Sequence, residues 1–316
     1  MPQIAFATTS PFTLQDEERG RARPTTGRGH LFTPVAATLP KSRPALVILP
    51  GLGGIIPERE LRYARMLAEE GYVTLAVDTF AARGRDYAIH PRRALAVTET
   101  MMLSDAFSAL RFLADMPMVD PTRVGVMGFS YGGMVSVLAA YEQMARLFAP
   151  DGLRFAAHAS YYGASVPRFE NPRTTGAPVE IFVGGLDRNV CIARSREIAQ
   201  DLRRGGSKVG FNLYESAYHQ WDSDNLEPKF VRFSLIGCRF RLDVANRLVD
   251  ERTGIVIRGR TSRTLALALN ASPSGYHMLR CEETCKRSDE RLAGFLDRAL
   301  AATPPIALGR RVGAAL

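Results

Sequence analysis

The stretch that most restricts the fold is Arg123-Val-Gly-Val-Met-Gly-Phe-Ser-Tyr-Gly-Gly-Met-Val-Ser-Val-Leu-Ala-Ala-Tyr141. Residues 124–127 form a short apolar run with β-branched members, suited to a strand buried on both faces of a parallel sheet. Residues 134–144 have helix-forming composition. The turn between them, Gly128-Phe-Ser-Tyr-Gly132, is a G-x-S-x-G in the strand-to-helix setting that gives this motif its meaning. Glycine at 128 and 132 lets neighbouring backbone approach, and Ser130 is forced into a strained conformation with its hydroxyl exposed. A helix N-terminus at Ser130 also favours developing negative charge. The alternative is a glycine-rich connection with an incidental serine, and the rest of the chain decides between the two.

Strand and helix patterns alternate on either side of that turn. Extended pieces at residues 4–8 and 30–35 predict an antiparallel edge to a sheet. A buried strand at 45–49 runs into Pro50-Gly-Leu-Gly-Gly54, which lacks both the Lys-Ser/Thr of a P-loop and the G-x-G-x-x-G spacing. That loop is expected to lie beside the serine turn and to offer a second backbone N–H to an oxyanion. A helix is predicted at 58–70, closed by Gly71, and a strand at 72–80 feeds the polar loop 81–86. Because ligands of open α/β sheets bind at the strands' carboxyl ends, Phe80 and Arg83 become candidate substrate contacts. A helix over 97–116, a strand over 155–162, a strand from 178 whose tip presents Asp187, a helix over 193–204 and a strand over 209–214 complete the pattern. The last strand exits into a loop carrying His219 and Trp221, the latter a further candidate pocket wall. This order predicts a mostly parallel sheet covered by helices on both faces.

A serine hydroxyl needs a base within hydrogen-bond reach and a third group to orient that base. Ser130, Asp187 and His219 each follow the carboxyl end of a predicted strand, in the order nucleophile, acid, histidine found in α/β-hydrolases. Of the five histidines, His158 lies inside an apolar strand, and His30, His90 and His277 miss a strand exit after the turn. Asp222 is too close in sequence to His219 to approach its imidazole easily from behind, which favours Asp187.

With 46% apolar residues, the 316-residue chain has ample material for one large core, and a single domain over 1–316 is expected. Residues 1–29 form an N-terminal extension or edge strand. No run of about 18 apolar residues is available to span a bilayer, and residues 1–16 lack the pattern of a secretory leader, so a cytoplasmic location without membrane attachment is expected. The net charge of +9 comes from 37 Arg and 4 Lys scattered among acids, without a recognition motif, and predicts no nucleic-acid partner. Cys191, Cys238, Cys281 and Cys285 are too few and too irregular for a disulfide framework. Cys281 and Cys285 at i, i+4 have no second Cys or His pair beside them, so free thiols and no metal are expected.

Leu49-Pro-Gly-Leu-Gly-Gly, Val77-Asp-Thr-Phe-Ala-Ala-Arg-Gly, Gly128-Phe-Ser-Tyr-Gly-Gly, Gly185-Leu-Asp187 and Ala217-Tyr-His219 together resemble the dienelactone hydrolase branch of the α/β-hydrolases over residues 30–225. The resemblance implies Ser130 as nucleophile, Asp187 as acid and His219 as base, with backbone N–H groups of Leu52 and Tyr131 forming the oxyanion hole. It implies a small ester or lactone as substrate and no cofactor. Two departures stand out. The family has a cysteine at the nucleophile position and a glutamate near 51, where this chain has Ser130 and Gly51. The second is a tail of nearly a hundred residues after His219. It is expected to hold an insertion over about 226–287 ahead of a last helix at 288–300. Residues 254–260 and 264–270 predict a C-terminal β-hairpin within it. Covering the site, pairing with a second subunit in a homodimer and extending the sheet are the roles open to that hairpin. A serine peptidase, an acyltransferase and a catalytically silent binding protein are the rival functions on this scaffold.

Overall fold

The computed structural model describes residues 2–34, 42–85, 90–163 and 167–301. Val35 and Asp86, the expected ends of one strand and one loop, lie outside the described residues. An eight-stranded sheet runs through the molecule in the order β1-β2-β4-β3-β5-β6-β8-β9. Its strands are β1 (Gln3–Ser10), β2 (Arg23–Phe32), β3 (Arg43–Leu49), β4 (Val73–Val77), β5 (Val119–Phe129), β6 (Ala157–Tyr161), β8 (Val179–Gly184) and β9 (Val209–Tyr214), with a short β7 (Pro167–Phe169) outside it. β1 and β2 form the antiparallel edge, β2 pairs antiparallel with β4, and all pairings from β4 through β9 are parallel.

The apolar runs go where two-sided burial puts them. All residues of β4, β6 and β8 are buried, as is β3 from Ala45 onward. The helices are α1 (Leu14–Glu18), α2 (Arg62–Glu69), α3 (His90–Ala96), α4 (Glu99–Ala114), α5 (Tyr131–Leu138), α6 (Glu142–Phe148), α7 (Ile192–Arg204), α8 (Arg260–Asn270) and α9 (Glu282–Ala299). Alternation along β6 separates the two covering layers. His158 bonds to Ser136 of α5 on one face, and Tyr161 bonds to the Ser288 carbonyl of α9 on the other. α2 joins the α9 layer through Tyr63, whose hydroxyl donates to Asp289 at 2.6 Å.

Several elements differ from the sequence pattern, and the helical stretch over 134–144 is split between α5 and α6. The predicted helix over 58–70 opens as a π-turn, Pro57–Leu61, before α2 begins. It holds a fully buried ion pair: Arg59 donates to Glu60, and the Glu60 carboxylate also accepts the Ile56 N–H at 2.9 Å. Such turns collect at functional sites, and this one lies directly behind the glycine loop.

The predicted hairpin over 254–270 is instead helix α8. Leu265, Leu267 and Leu269 alternate like a strand, but the buried stripe is Arg263, Ala266, Leu267 and Asn270, a helical spacing, and Leu265 and Leu269 face solvent. Ser262 fixes the helix start by accepting the Arg258 and Gly259 N–H groups. A hairpin does occur earlier in the insertion, where β11 (Phe240–Leu242) pairs with β12 (Leu248–Asp250) and, on its other edge, with β7. β10 (Lys229–Val231) pairs antiparallel with β13 (Tyr276–Met278), and the last helix starts at Glu282 rather than Ser288.

Candidate active site

The backbone at Ser130 adopts φ 52°, ψ −110° between β5 and α5. Holding a serine there costs about 1–3 kcal/mol and persists only where the surroundings over-determine it. They do so through glycine. A Cβ on Gly128 would overlap the Gly132 carbonyl, and one on Gly132 would overlap the backbone of Leu49 and Pro50. The Ser130 N–H donates to the Tyr161 carbonyl at 2.9 Å, and the Ser130 carbonyl accepts from Met134 at 3.0 Å.

His219 and Asp187 arrive from the ends of β9 and β8. Ser130 Oγ lies 2.9 Å from His219 Nε2, and His219 Nδ1 lies 2.6 Å from Asp187 Oδ2. With Asp187 as a carboxylate, Nδ1–H donates to it and Nε2 is left to accept the serine proton. The second carboxylate oxygen of Asp187 accepts the Asn189 N–H at 2.7 Å. All three side chains are buried, so these bonds operate away from bulk water. The imidazole sits between Tyr162 and Tyr276, ring centroids 4.8 and 4.7 Å away. Asp222 does not reach it. The Tyr162 hydroxyl donates to Asp222 at 2.6 Å instead, and burial pushes that carboxyl above its ordinary range against the pull of Arg59.

The glycine loop lies against the serine turn. A Cβ on Gly51 would sit 3.3 Å from that of Ser130, and Gly54, at φ +76°, closes the loop by donating to the Gly51 carbonyl at 2.9 Å. Arg93 of α3 donates to the Leu52 carbonyl at 2.7 Å. Tyr131 is the first residue of α5, a position whose N–H has no partner four residues back in the helix.

Three expected substrate contacts are placed elsewhere. Arg83 makes a buried two-pronged bond to Asp105 at 2.7 and 3.0 Å and also donates to the Thr9 and Thr79 carbonyls, so it ties the sheet edge to α4. Phe80 is fully buried beneath the Arg93 guanidinium. Trp221 is fully buried too, donating to Ser288 Oγ at 3.1 Å and standing edge-on to Tyr162, one ring removed from His219.

Other neighbours of the site carry no motif. His90, at the start of α3, lies near Gly53, and burial, followed by the Arg93 and His219 charges, lowers its pKa to about 4. The insertion meets each of the three side chains' surroundings. Met278 bridges to His219 beside Tyr276, the Leu235 N–H donates to Asn189 Oδ1 at 3.0 Å, and Arg263 reaches Tyr131. A small apolar cavity beside Tyr131 and Met134 is closed by Leu235, Phe240 and Leu267 of the insertion. Cys281 and Cys285 are free, and burial pushes the Cys285 thiol up to about 12. Among the described residues no group of three or more His, Cys, Asp or Glu is placed to hold a metal, and no helix is long and apolar enough to cross a membrane.

Residues 28–231 match the dienelactone hydrolase family. A protein of Methylorubrum extorquens named "Putative carboxymethylenebutenolidase" is 25% identical over 175 residues, which cover 51% of this chain and 57% of that protein. The fold is shared with a dienelactone hydrolase-like promiscuous phosphotriesterase from metagenomic libraries (TM-score 0.56, 16% identity, 95% of this chain and 99% of that one). It is also shared with esterase 2 of Thermogutta terrifontis phosphoramylated by tabun (TM-score 0.50, 20% identity, 62% and 80%).

Proposed function

The chain belongs to the dienelactone hydrolase family, and from that premise we propose that it is a serine hydrolase cleaving a small carboxylic ester or lactone through an acyl-enzyme on Ser130. The observation that carries this reading is the continuous line from Asp187 through His219 to the Ser130 hydroxyl, at 2.6 and 2.9 Å. His219 Nε2 takes the hydroxyl proton as Oγ attacks the carbonyl carbon. Asp187 stabilises the imidazolium and holds the ring in the tautomer that leaves Nε2 free. The Leu52 and Tyr131 N–H groups receive the oxyanion. The imidazolium then protonates the departing alkoxide, which for a lactone stays tethered to the acyl group. Water, deprotonated by His219, attacks the acyl-enzyme, and the imidazolium returns that proton to Ser130 Oγ as the acyl–Oγ bond breaks and the acid leaves. Nothing in these steps calls on a group outside the chain.

Serine in place of the family's cysteine raises the demand on the base, because a hydroxyl holds its proton far more tightly than a thiol. The short, buried, doubly anchored Asp187–His219 pair answers that demand. Gly51 brings no carboxylate where the family has a glutamate, which favours a general ester or lactone over the dienelactone itself. The test is hydrolysis of a p-nitrophenyl ester by Ser130→Ala. Turnover should fall to background in a variant with unchanged circular dichroism, and undiminished turnover would remove Ser130 as nucleophile.

A further inference from the structure

Helix α8, outside the stretch matched to the family, sends one side chain back to the serine turn. Arg263 is buried and donates from all three of its guanidinium nitrogens. Nε donates to the Ala94 carbonyl at 2.9 Å, Nη1 to Glu99 Oε1 at 3.1 Å, and Nη2 to Glu99 Oε2 and the Tyr131 hydroxyl, each at 2.9 Å. The Tyr131 hydroxyl in turn donates to Glu99 Oε2 at 2.8 Å. Burial alone would raise the Glu99 carboxyl, but the Arg263 charge together with the hydrogen bonds from Arg263, the backbone and Tyr131 holds Glu99 below its ordinary value. The cluster is a closed, charge-neutral knot of α4, α8 and the residue next to Ser130.

Resting on the hydrolase reading above, we propose that Arg263 is a positioning residue for the oxyanion hole, acting through the Tyr131 side chain. The torsion ψ of Ser130, held at −110°, sets the plane of the Ser130–Tyr131 peptide and therefore the direction of the Tyr131 N–H. Ser130 is strained through its positive φ of 52°, and rotation about ψ swings the Tyr131 N–H without moving Ser130 Oγ. One side of the peptide is fixed by the Met134 N–H on the Ser130 carbonyl. The other is fixed at Tyr131, whose ring is pinned at its far end by Arg263 and Glu99. The same arginine holds the Ala94 carbonyl of α3, the helix whose Arg93 grips the Leu52 carbonyl. Both proposed oxyanion donors are thus braced from α3 and α8, and the insertion becomes part of the catalytic machinery.

Steady-state kinetics of Tyr131→Phe, Arg263→Gln, their double variant and Arg263→Lys, read beside Ser130→Ala, test this. A donor misplaced by a fraction of an ångström should lower kcat about 10- to 100-fold with KM held within about twofold, since the lost interaction exists only in the transition state. Affinity for a trifluoromethyl ketone analogue, which forms an oxyanion on Ser130, should fall by the same factor as kcat/KM. The pH profile of kcat/KM should keep its wild-type midpoint, because His219 and Asp187 are untouched. Arg263→Lys should recover part of the loss, and the double variant should be little worse than the poorer single one. Wild-type kcat and analogue affinity in folded Tyr131→Phe, a change of one oxygen atom, would overturn the clamp, whether or not Arg263→Gln folds. Turnover surviving in Ser130→Ala would instead overturn the hydrolase reading beneath it.

Discussion

The parallel sheet places the three side chains, and the 226–281 segment packs on His219 and on the neighbours of the other two, by different means. In the sheet, long apolar runs buried on both faces fix strand ends, and the strand ends fix Ser130, Asp187 and His219. The insertion has strands of only three residues and one amphipathic helix. It buries Leu235, Phe240, Ile257 and Leu267 against the main core and adds polar contacts with it: Arg263 on Glu99, Leu235 on Asn189, Ser234 on the Arg188 carbonyl, Gln143 on the Asp243 carbonyl. A scaffold built on periodicity is specified locally, whereas a cover built from short elements and long-range contacts is specified only once its partner has folded.

The difference predicts which region controls chemistry and which controls stability. The largest effect belongs to the strand ends. Asp187→Asn should lower kcat about 10⁴-fold, by leaving His219 in the wrong tautomer, with little change in melting temperature; a loss under tenfold would show that the scaffold's placement of this carboxylate matters less than its geometry implies.

Next comes acid sensitivity lodged in the sheet. His158 of β6 is fully buried; its Nδ1–H donates to the Ser136 carbonyl and its Nε2 has no partner among the described residues. Burial lowers its pKa to about 4 from an ordinary 6.5. The folded state therefore refuses a proton that the unfolded chain accepts. The stabilisation from this neutral imidazole is complete above about pH 6.5 and is lost as pH falls from there towards 4, by up to about 3 kcal/mol. Urea midpoints of wild type and His158→Gln between pH 7 and 4.5 check this: the variant should show a shallower decline, and parallel declines would place the acid sensitivity elsewhere.

The smallest effect concerns the cover. Tyr276→Leu keeps the apolar burial and removes the ring contact with His219. An aromatic pair contributes about 0.5–1.5 kcal/mol, so kcat/KM should fall about 3- to 10-fold. A fall of a hundredfold or more would mean that the insertion orients the imidazole as strongly as Asp187 does, which would erase the division of labour between the two regions.

Legibility followed the same division. The three side chains were readable because each belongs to a strand-plus-loop unit whose pattern lies within a few residues of sequence, as in Val126 to Ser130. Asp187 could be preferred to Asp222 on sequence distance alone, and the structure places Asp222 on Tyr162. Arg83 was misread because a polar loop at a strand end says nothing about Asp105, its partner across α4. Helix α8 was misread because Leu265, Leu267 and Leu269 alternate with smaller residues, and only tertiary burial of Arg263 and Ala266 selects the helical period. The bracing of Tyr131 by Arg263 spans 132 positions, and no local pattern could have announced it.

The most direct measurement is intact-protein and peptide mass spectrometry after treatment with a fluorophosphonate. Active protein should gain one adduct, mapped to Ser130, in step with loss of esterase turnover, and labelling should slow in Asp187→Asn. Full turnover in unlabelled protein, or a single inactivating adduct on any residue other than Ser130, would contradict the proposed nucleophile.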